Sequence, residues 1–346
     1  MVTEEGLRMQ ESTFLAFLAA WLAAAFPTIA SAQGKGETVK IQDYPGIGNM
    51  LYRVAISKGY CDKYGIKCQL QMIPSAPLGT QALLSKSIDV AFGAPEVQIS
   101  AMLNGAELKA ILGGANLNIY IIAVRNDIEV PNASKGFPAI MADLKGKKIG
   151  VVARGSGSEL QFRFLAQKAG AQADDFTFVA VGAPNTAYGA LTSKQVDANM
   201  SFDPSGALCD VLKTCRTIYR GSEAKDPPEV SATNGASANM FVRQGTIDTT
   251  AHVVDALIAA AKDAEAFIQD PDNYAEALSI AQSYFKFDMA RGEEVMDAAL
   301  KRAIPGYRAS ISRSALKAIA DIMLETKQID TAFDTTKMVY AKSPAP

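Results

Sequence analysis

The run Arg154-Gly155-Ser156-Gly157-Ser158 holds the residue types that bind an anion. A helix that starts in such a run presents unpaired backbone N–H groups and the positive end of its dipole. That end attracts a sulfonate, nitrate, phosphate or carboxylate. Ser156 and Ser158 add hydroxyl donors, Arg154 adds a charge, and Gly155 and Gly157 let a ligand approach the backbone. Ordinary capping competes with this use. It is the better account of Ser158, which makes a capping-box pattern with Gln161. For Ser156 the two readings weigh equally, and Arg154 serves equally well as a solvated charge. The run is not a phosphate-binding P-loop, because no Gly-Lys-Ser/Thr follows. It is not a dinucleotide fingerprint either, because the third glycine is missing.

Similar strand-to-helix loops recur at 43–49, 75–80, 93–96 and 183–185. All lie at the carboxyl ends of strands, where open α/β sheets bind ligands. They offer Tyr44, Gly46, Ser75, Ala76, Ala94, Glu96 and Asn185 as contact residues. Asn116 joins them from Gly113-Gly114-Ala115-Asn116, and Asp203 from Phe202-Asp203-Pro204. Tyr44 could stack on a ligand, although a loop aromatic more often packs. Glu96 and Asp203 could bind an amine, and capping or pairing with a basic residue is the favoured use. Catalytic signals are thin. The single histidine, His252, lies in a helical run, and there is no HExxH, Gly-x-Ser-x-Gly or Cys–His arrangement. Catalysis is not expected, and no cofactor or metal is implied.

A repeated unit positions these loops. Ala82-Leu83-Leu84-Ser85-Lys86-Ser87-Ile88-Asp89-Val90 returns as Ala190-Leu191-Thr192-Ser193-Lys194-Gln195-Val196-Asp197-Ala198. Each copy reads as a helix end, a Ser-Lys turn and an apolar strand entered through Asp. The expected fold class is α/β with two lobes, 39–124 plus 244–335 and 125–243, facing each other across a cleft. Clefts of that kind hold small ligands. Strands are expected at Val39–Gln42, Gln69–Ile73, Leu108–Leu112, Ile119–Val124, Ile149–Ala153 and Asn239–Arg243. Ile119–Val124 and Asn239–Arg243 are expected to carry the two crossings between lobes. Helices at about 250–268, 274–285, 289–302 and 312–326 would form a brace, and the tail beyond Thr335 reads as loosely ordered.

The 346 residues suffice for two domains. The apolar run Phe14–Phe26 is too short to span a bilayer and leads to Ala30-Ser31-Ala32, a small-x-small cleavage pattern. Residues 1–32 are therefore read as a signal peptide, cleaved after Ala32 on export. The whole chain sets 34 Lys and Arg against 36 Asp and Glu. Removing the leader, with Glu4, Glu5, Glu11 and Arg8, leaves formal charge near zero, which gives no electrostatic case for nucleic acid. The four cysteines fall into two local pairs, Cys61 with Cys68 and Cys209 with Cys215. In an oxidising compartment these read as short-loop disulfides, with free thiols as the alternative.

The residues resemble a known family. Lys58-Gly59-Tyr60, Tyr64-Gly65-Ile66, Ala82–Phe92, Gly105-Ala106-Glu107-Leu108-Lys109, Asp143–Val151, Lys168-Ala169-Gly170 and Ala190–Ala198 with Asp203-Pro204 are similar, in order and spacing, to periplasmic substrate-binding proteins of ABC importers, in the nitrate/sulfonate/taurine branch. The resemblance implies the two-lobed type II fold with two crossing strands and closure by hinge motion. It also implies a monomeric receptor that hands a small solute, most readily a sulfonate, to an inner-membrane permease. Related chains include pyrimidine-synthesising enzymes of thiamine biosynthesis. The histidine and cysteine-rich iron site of those enzymes have no counterpart here. A receptor for a neutral heterocycle such as a thiamine-precursor pyrimidine, or a ligand-sensing module, stays open beside the anion receptor.

Overall fold

The computed structural model describes residues 34–346, so the expected signal peptide lies outside the described residues. Alternating apolar and polar residues in β1 (Glu37–Asp43) turn Val39 and Ile41 into the core, as the pleat requires. The chain continues through α1 (Met50–Ser57), α2 (Tyr60–Lys63), β2 (Ile66–Met72), α3 (Ala76–Leu84), β3 (Ala91–Gly93), α4 (Pro95–Leu103) and β4 (Leu108–Ala115). It then enters β5 (Ile121–Arg125), α5 (Ala139–Asp143), β6 (Lys148–Val151), α6 (Gly157–Lys168), β7 (Thr177–Ala180), α7 (Pro184–Thr192), β8 (Ala198–Ser201), α8 (Ser205–Leu212) and β9 (Cys215–Arg220). After α9 (Pro228–Ala232) it returns through β10 (Ala238–Arg243). Four longer helices close the chain: α10 (Gln244–Gln269), α11 (Tyr274–Tyr284), α12 (Gly292–Ala303) and α13 (Arg313–Glu325).

The strands make two matching sheets. In the second, the order is β7-β6-β8-β5-β9, with β6 parallel to β7 and β8, and β5 antiparallel to β8 and β9. In the first, β1 pairs parallel with β2, and β10 lies antiparallel between β3 and β4. A parallel bridge from Ile41 to Val90 joins the two parts, giving the order β2-β1-β3-β10-β4. Each sheet thus takes one antiparallel strand immediately after the chain crosses over. The crossings themselves are the irregular segments 116–120 and 221–237. Ile119–Val124 and Asn239–Arg243, expected to carry them, lie within or beside β5 and β10. The sheet pairing places β5 with the second sheet.

The sequence repeat is a structural repeat. Asp89 accepts the Lys40 N–H at 2.9 Å, and Asp197 accepts the Lys148 N–H at 2.9 Å. Lys86 and Lys194 both take left-handed conformation, each with φ 64°, where the turn leaves its helix. Each unit also receives an arginine from its antiparallel strand. Arg243 donates to the Ile88 carbonyl and Arg125 to the Val196 carbonyl, both at 3.1 Å.

α10 keeps Val253, Val254, Leu257, Ala260, Ala261, Ala264 and Ile268 on one buried stripe against α1. Phe162, Phe164 and Leu165 of α6 fill the core of the second sheet. The tail is not loose, contrary to the sequence expectation. Met338 is fully buried, Val339 bridges Ala110, and the Tyr340 N–H donates to the Ala110 carbonyl at 2.9 Å. Among the described residues, no helix is long and apolar enough to cross a membrane.

Candidate functional site

A cavity of about 130 Å³ lies between the two sheets, at the carboxyl ends of their parallel strands. A single water needs roughly 10–15 Å³ on the same measure, so the space suits a small molecule. The crossing residues Leu117, Asn118, Ile119 and Tyr120 line it, with Ser222 and Ala238 from the return side. The two crossings are laced together. Asn118 N–H donates to Asn234 Oδ1 at 2.8 Å, Ile119 N–H to Ser237 Oγ at 3.3 Å, and Gly221 N–H to the Tyr120 carbonyl at 2.8 Å.

Tyr44 reaches the cavity because the loop beneath it is built around a buried ion pair. Arg53 has no exposed surface, and its Nε donates to Asp43 Oδ2 at 2.9 Å. Its remaining nitrogens donate to the carbonyls of Gly46 and Tyr44, both at 2.6 Å. Asp43 Oδ1 accepts the N–H groups of Tyr44 and Asn49 at 2.8 and 2.7 Å. Gln42 ties the neighbouring walls together. It donates to the Ile73 and Ser75 carbonyls and accepts the Phe92 N–H at 3.0 Å.

Six of the twelve expected contact residues line the cavity: Tyr44, Ala76, Ala94, Ser156, Gly157 and Asp203. Ser156 is the N-cap residue of α6, but its hydroxyl donates to the Ala153 carbonyl at 2.6 Å and makes no cap. Ser158 does not cap the helix either, as the Ser158–Gln161 pattern suggested. It lies inside the first turn, and its Oγ accepts the Val152 N–H at 3.0 Å. The first-turn N–H groups at Gly157 and Ser158 therefore stand at the cavity wall without a side-chain acceptor. Asp203 accepts from Arg302 Nη1 on both oxygens, at 3.1 and 2.9 Å, and takes the Ala207 N–H at 2.9 Å. Burial opposes the Arg302 charge, and Asp203 and Asp210 outweigh it, so the arginine stays firmly protonated.

The other six stand off the wall. Arg154 turns away and grips Glu159 through Nε at 2.9 Å and Nη2 at 3.1 Å. Gly46, with φ 77°, presses against Pro204. Ser75 caps α3 through the Leu78 N–H, Asn116 donates to Ser310 at 3.3 Å, and Asn185 lies in the first turn of α7. Glu96 is buried on the first turn of α4, and burial raises its carboxyl to about 7. It lies close enough to Tyr120 that, after burial, its charge helps hold that hydroxyl protonated.

The sequence reading did not single out Phe92, Tyr120, Phe202, Arg220, Arg302 or Tyr307, which also line the cavity. Tyr44 packs edge-on to Phe92 and Phe202, with centroids 5.8 and 6.1 Å away. The Tyr44 and Tyr307 hydroxyls donate to the carbonyls of Phe92 and Ile47, so their rings offer apolar surface. Phe92 lies in β3 and Phe202 directly follows β8, the two repeated strands, and that placement was a usable signal. The two expected disulfides are present, Cys61–Cys68 and Cys209–Cys215, with Cα atoms 6.0 and 4.7 Å apart.

The NMT1/THI5-like family model matches residues 49–274. A protein of Brucella abortus is 32% identical over 184 residues, covering 53% of each chain, and one from Brucella suis matches to the same extent. The chain thus spans about half the length of the curated relatives it matches. The alkanesulfonate-binding protein SsuA of Xanthomonas axonopodis pv. citri, bound to MOPS, superposes with TM-score 0.70 at 18% identity, covering 90% of this chain and 99% of that one. The periplasmic nitrate-binding protein NrtA of Synechocystis PCC 6803 gives TM-score 0.61 at 14% identity, covering 78% and 71%. A Candida albicans protein with the generic periplasmic binding protein fold gives 0.66 at 15%, covering 89% and 97%. These likenesses establish the fold: two lobes of α/β structure joined by two crossings.

Proposed function

The chain belongs to the NMT1/THI5-like family, and on that premise we propose that it is the solute-binding receptor of an ABC import system. In this reading it is exported to the periplasm and captures a small organic anion, sulfonate-like first of all, for an inner-membrane permease. The lobes are taken as the two sheets with their covering helices, and they close over the ligand by rotation about the laced crossings. The observation that carries the reading is the composition of the cavity. It lies between the sheets, has aromatic walls, and is met by the uncapped N-terminus of α6 and by the partly buried side chain of Arg220. A helix N-terminus and a cation suit an anion, and the apolar wall suits a carbon skeleton. Nothing in this arrangement needs a bond to be made or broken, and binding is the function it serves.

A thermal-shift screen of the exported chain tests the proposal. The panel holds nitrate, taurine, methanesulfonate, benzenesulfonate, benzoate and a pyrimidine. A ligand at about 100 times its Kd adds roughly 2.7 kcal/mol of stability, an easily seen shift. Saturable stabilisation by one class of anion is expected. Stabilisation by the pyrimidine alone would replace the anion with a neutral heterocycle. No stabilisation by any compound would count against the receptor reading.

A further inference from the structure

Arg220 ends β9, and its side chain lines the cavity while only 11% exposed. A guanidinium carries five N–H donors and does not give up its charge. Here Nη2 donates to Asp210 and, at 3.4 Å, to Thr217, and Nε faces Glu223 at 3.9 Å. Nη1 is buried and has no partner among the described residues. Leaving a buried donor unpaired is costly, and more so on a charged group. Arg302 beside it differs, because its Nη1 and Nη2 are both taken, by Asp203 and Asp210. The local charges also balance without help. Asp203 and Asp210 face Arg220 and Arg302, and Glu223 lies out in solvent. On one side Arg220 packs tightly against α8, since a Cβ on Gly206 would come within 2.8 Å of Nη1.

We infer that the Arg220 guanidinium anchors the acid group of the ligand, and that this ligand is a carboxylate or sulfonate carried on an aromatic ring. The assignment rests on the receptor reading and narrows it. The walls support the ring, because Tyr44, Phe92, Tyr120, Phe202 and Tyr307 surround the cavity. Two of those hydroxyls are already engaged with backbone carbonyls, so they offer no donor to a small hydrophilic anion. Nitrate or methanesulfonate would use the Arg220 guanidinium and the N–H groups at the start of α6 and leave the aromatic wall unfilled. An aromatic acid uses both features, and offset or edge-on ring contacts add to the binding.

Calorimetric titration of the wild type, Arg220→Gln and Arg220→Lys with benzoate, benzenesulfonate, methanesulfonate and benzamide tests the assignment. Benzamide is the neutral counterpart of benzoate. The wild type is expected to bind benzoate or benzenesulfonate at least tenfold more tightly than methanesulfonate and benzamide. Arg220→Gln should lose at least tenfold on the acids and leave benzamide unchanged, and Arg220→Lys should recover part of the loss. Unchanged acid affinity in Arg220→Gln would overturn the assignment. So would equal losses for benzoate and benzamide, which would mark a structural role. Preference of the wild type for benzamide would also overturn it and leave the receptor standing. Failure of the wild type to bind any of the four would overturn the assignment, and failure across the wider screen would remove the receptor reading as well.

Discussion

Glu96 shows what burial does to one carboxyl. Its place on the first turn of α4 favours the anion, yet desolvation wins and raises it from 4.5 to about 7. Between those values the folded chain keeps a proton that the unfolded chain has lost. Stability should therefore fall as pH rises through this window. Glu96→Gln should leave urea denaturation nearly unchanged at pH 4 and stabilise the protein by up to about 3 kcal/mol at pH 8. An identical pH dependence in both proteins would show that Glu96 is not the cause. Arg53 makes the opposite case, a charge whose burial is fully matched. Arg53→Ala would strand Asp43 in the core and should cost about 3–5 kcal/mol in the same assay. Neither behaviour was legible in the sequence. Glu96 could be named as a loop residue, but burial depends on the packing of residues distant in the chain. Asp43 ends β1 and Arg53 lies in the next helix, α1, and nothing in the sequence marks them as a pair.

At the scale of elements, the repeat was legible because local rules and tertiary structure agree. Ser-Lys turns, Asp-led strands and apolar runs each imply the same unit, and Asp89 and Asp197 cap their strands alike. The C-terminal helices were equally clear, because long amphipathic stripes with Pro and Gly breaks have few alternatives. Strand β9 was missed, and Arg220 with it. Its Thr217-Ile218-Tyr219 run has strand character, but it is short and follows directly on α8. The disulfide Cys209–Cys215 ties these two elements together and holds Asp210 beside Arg220. Replacing both cysteines by serine should lower stability by about 2 kcal/mol, as expected for so short a closed loop. If the anchor at Arg220 depends on that staple, affinity for benzoate should fall as well. Unchanged melting and affinity would show that packing alone fixes the α8–β9 corner.

Across the whole molecule, the lobes meet at more than the crossings. Arg302 of α12 reaches Asp203 and Asp210, Gln328 donates to the Leu160 carbonyl, and Gly46 presses on Pro204. A Cβ at Gly46 would come within 2.5 Å of Pro204. Gly46→Ala should prop the lobes apart and raise the Kd for an anionic ligand, and small-angle scattering should show a larger radius of gyration. An unchanged radius would show that the loop yields instead. Six of the twelve residues named from the sequence line the cavity, because strand-end loops are local features. Sequence reading could not rank them, since which loop side chains face inward depends on how the two sheets oppose each other. The central claim is that a solute is held by both sheets and by the crossings at once. Hydrogen exchange with and without saturating benzenesulfonate tests it most directly. Slower exchange is expected together in 43–48, 92–97, 117–121, 155–160 and 202–207. Protection confined to one sheet, or none in these segments, would contradict the account.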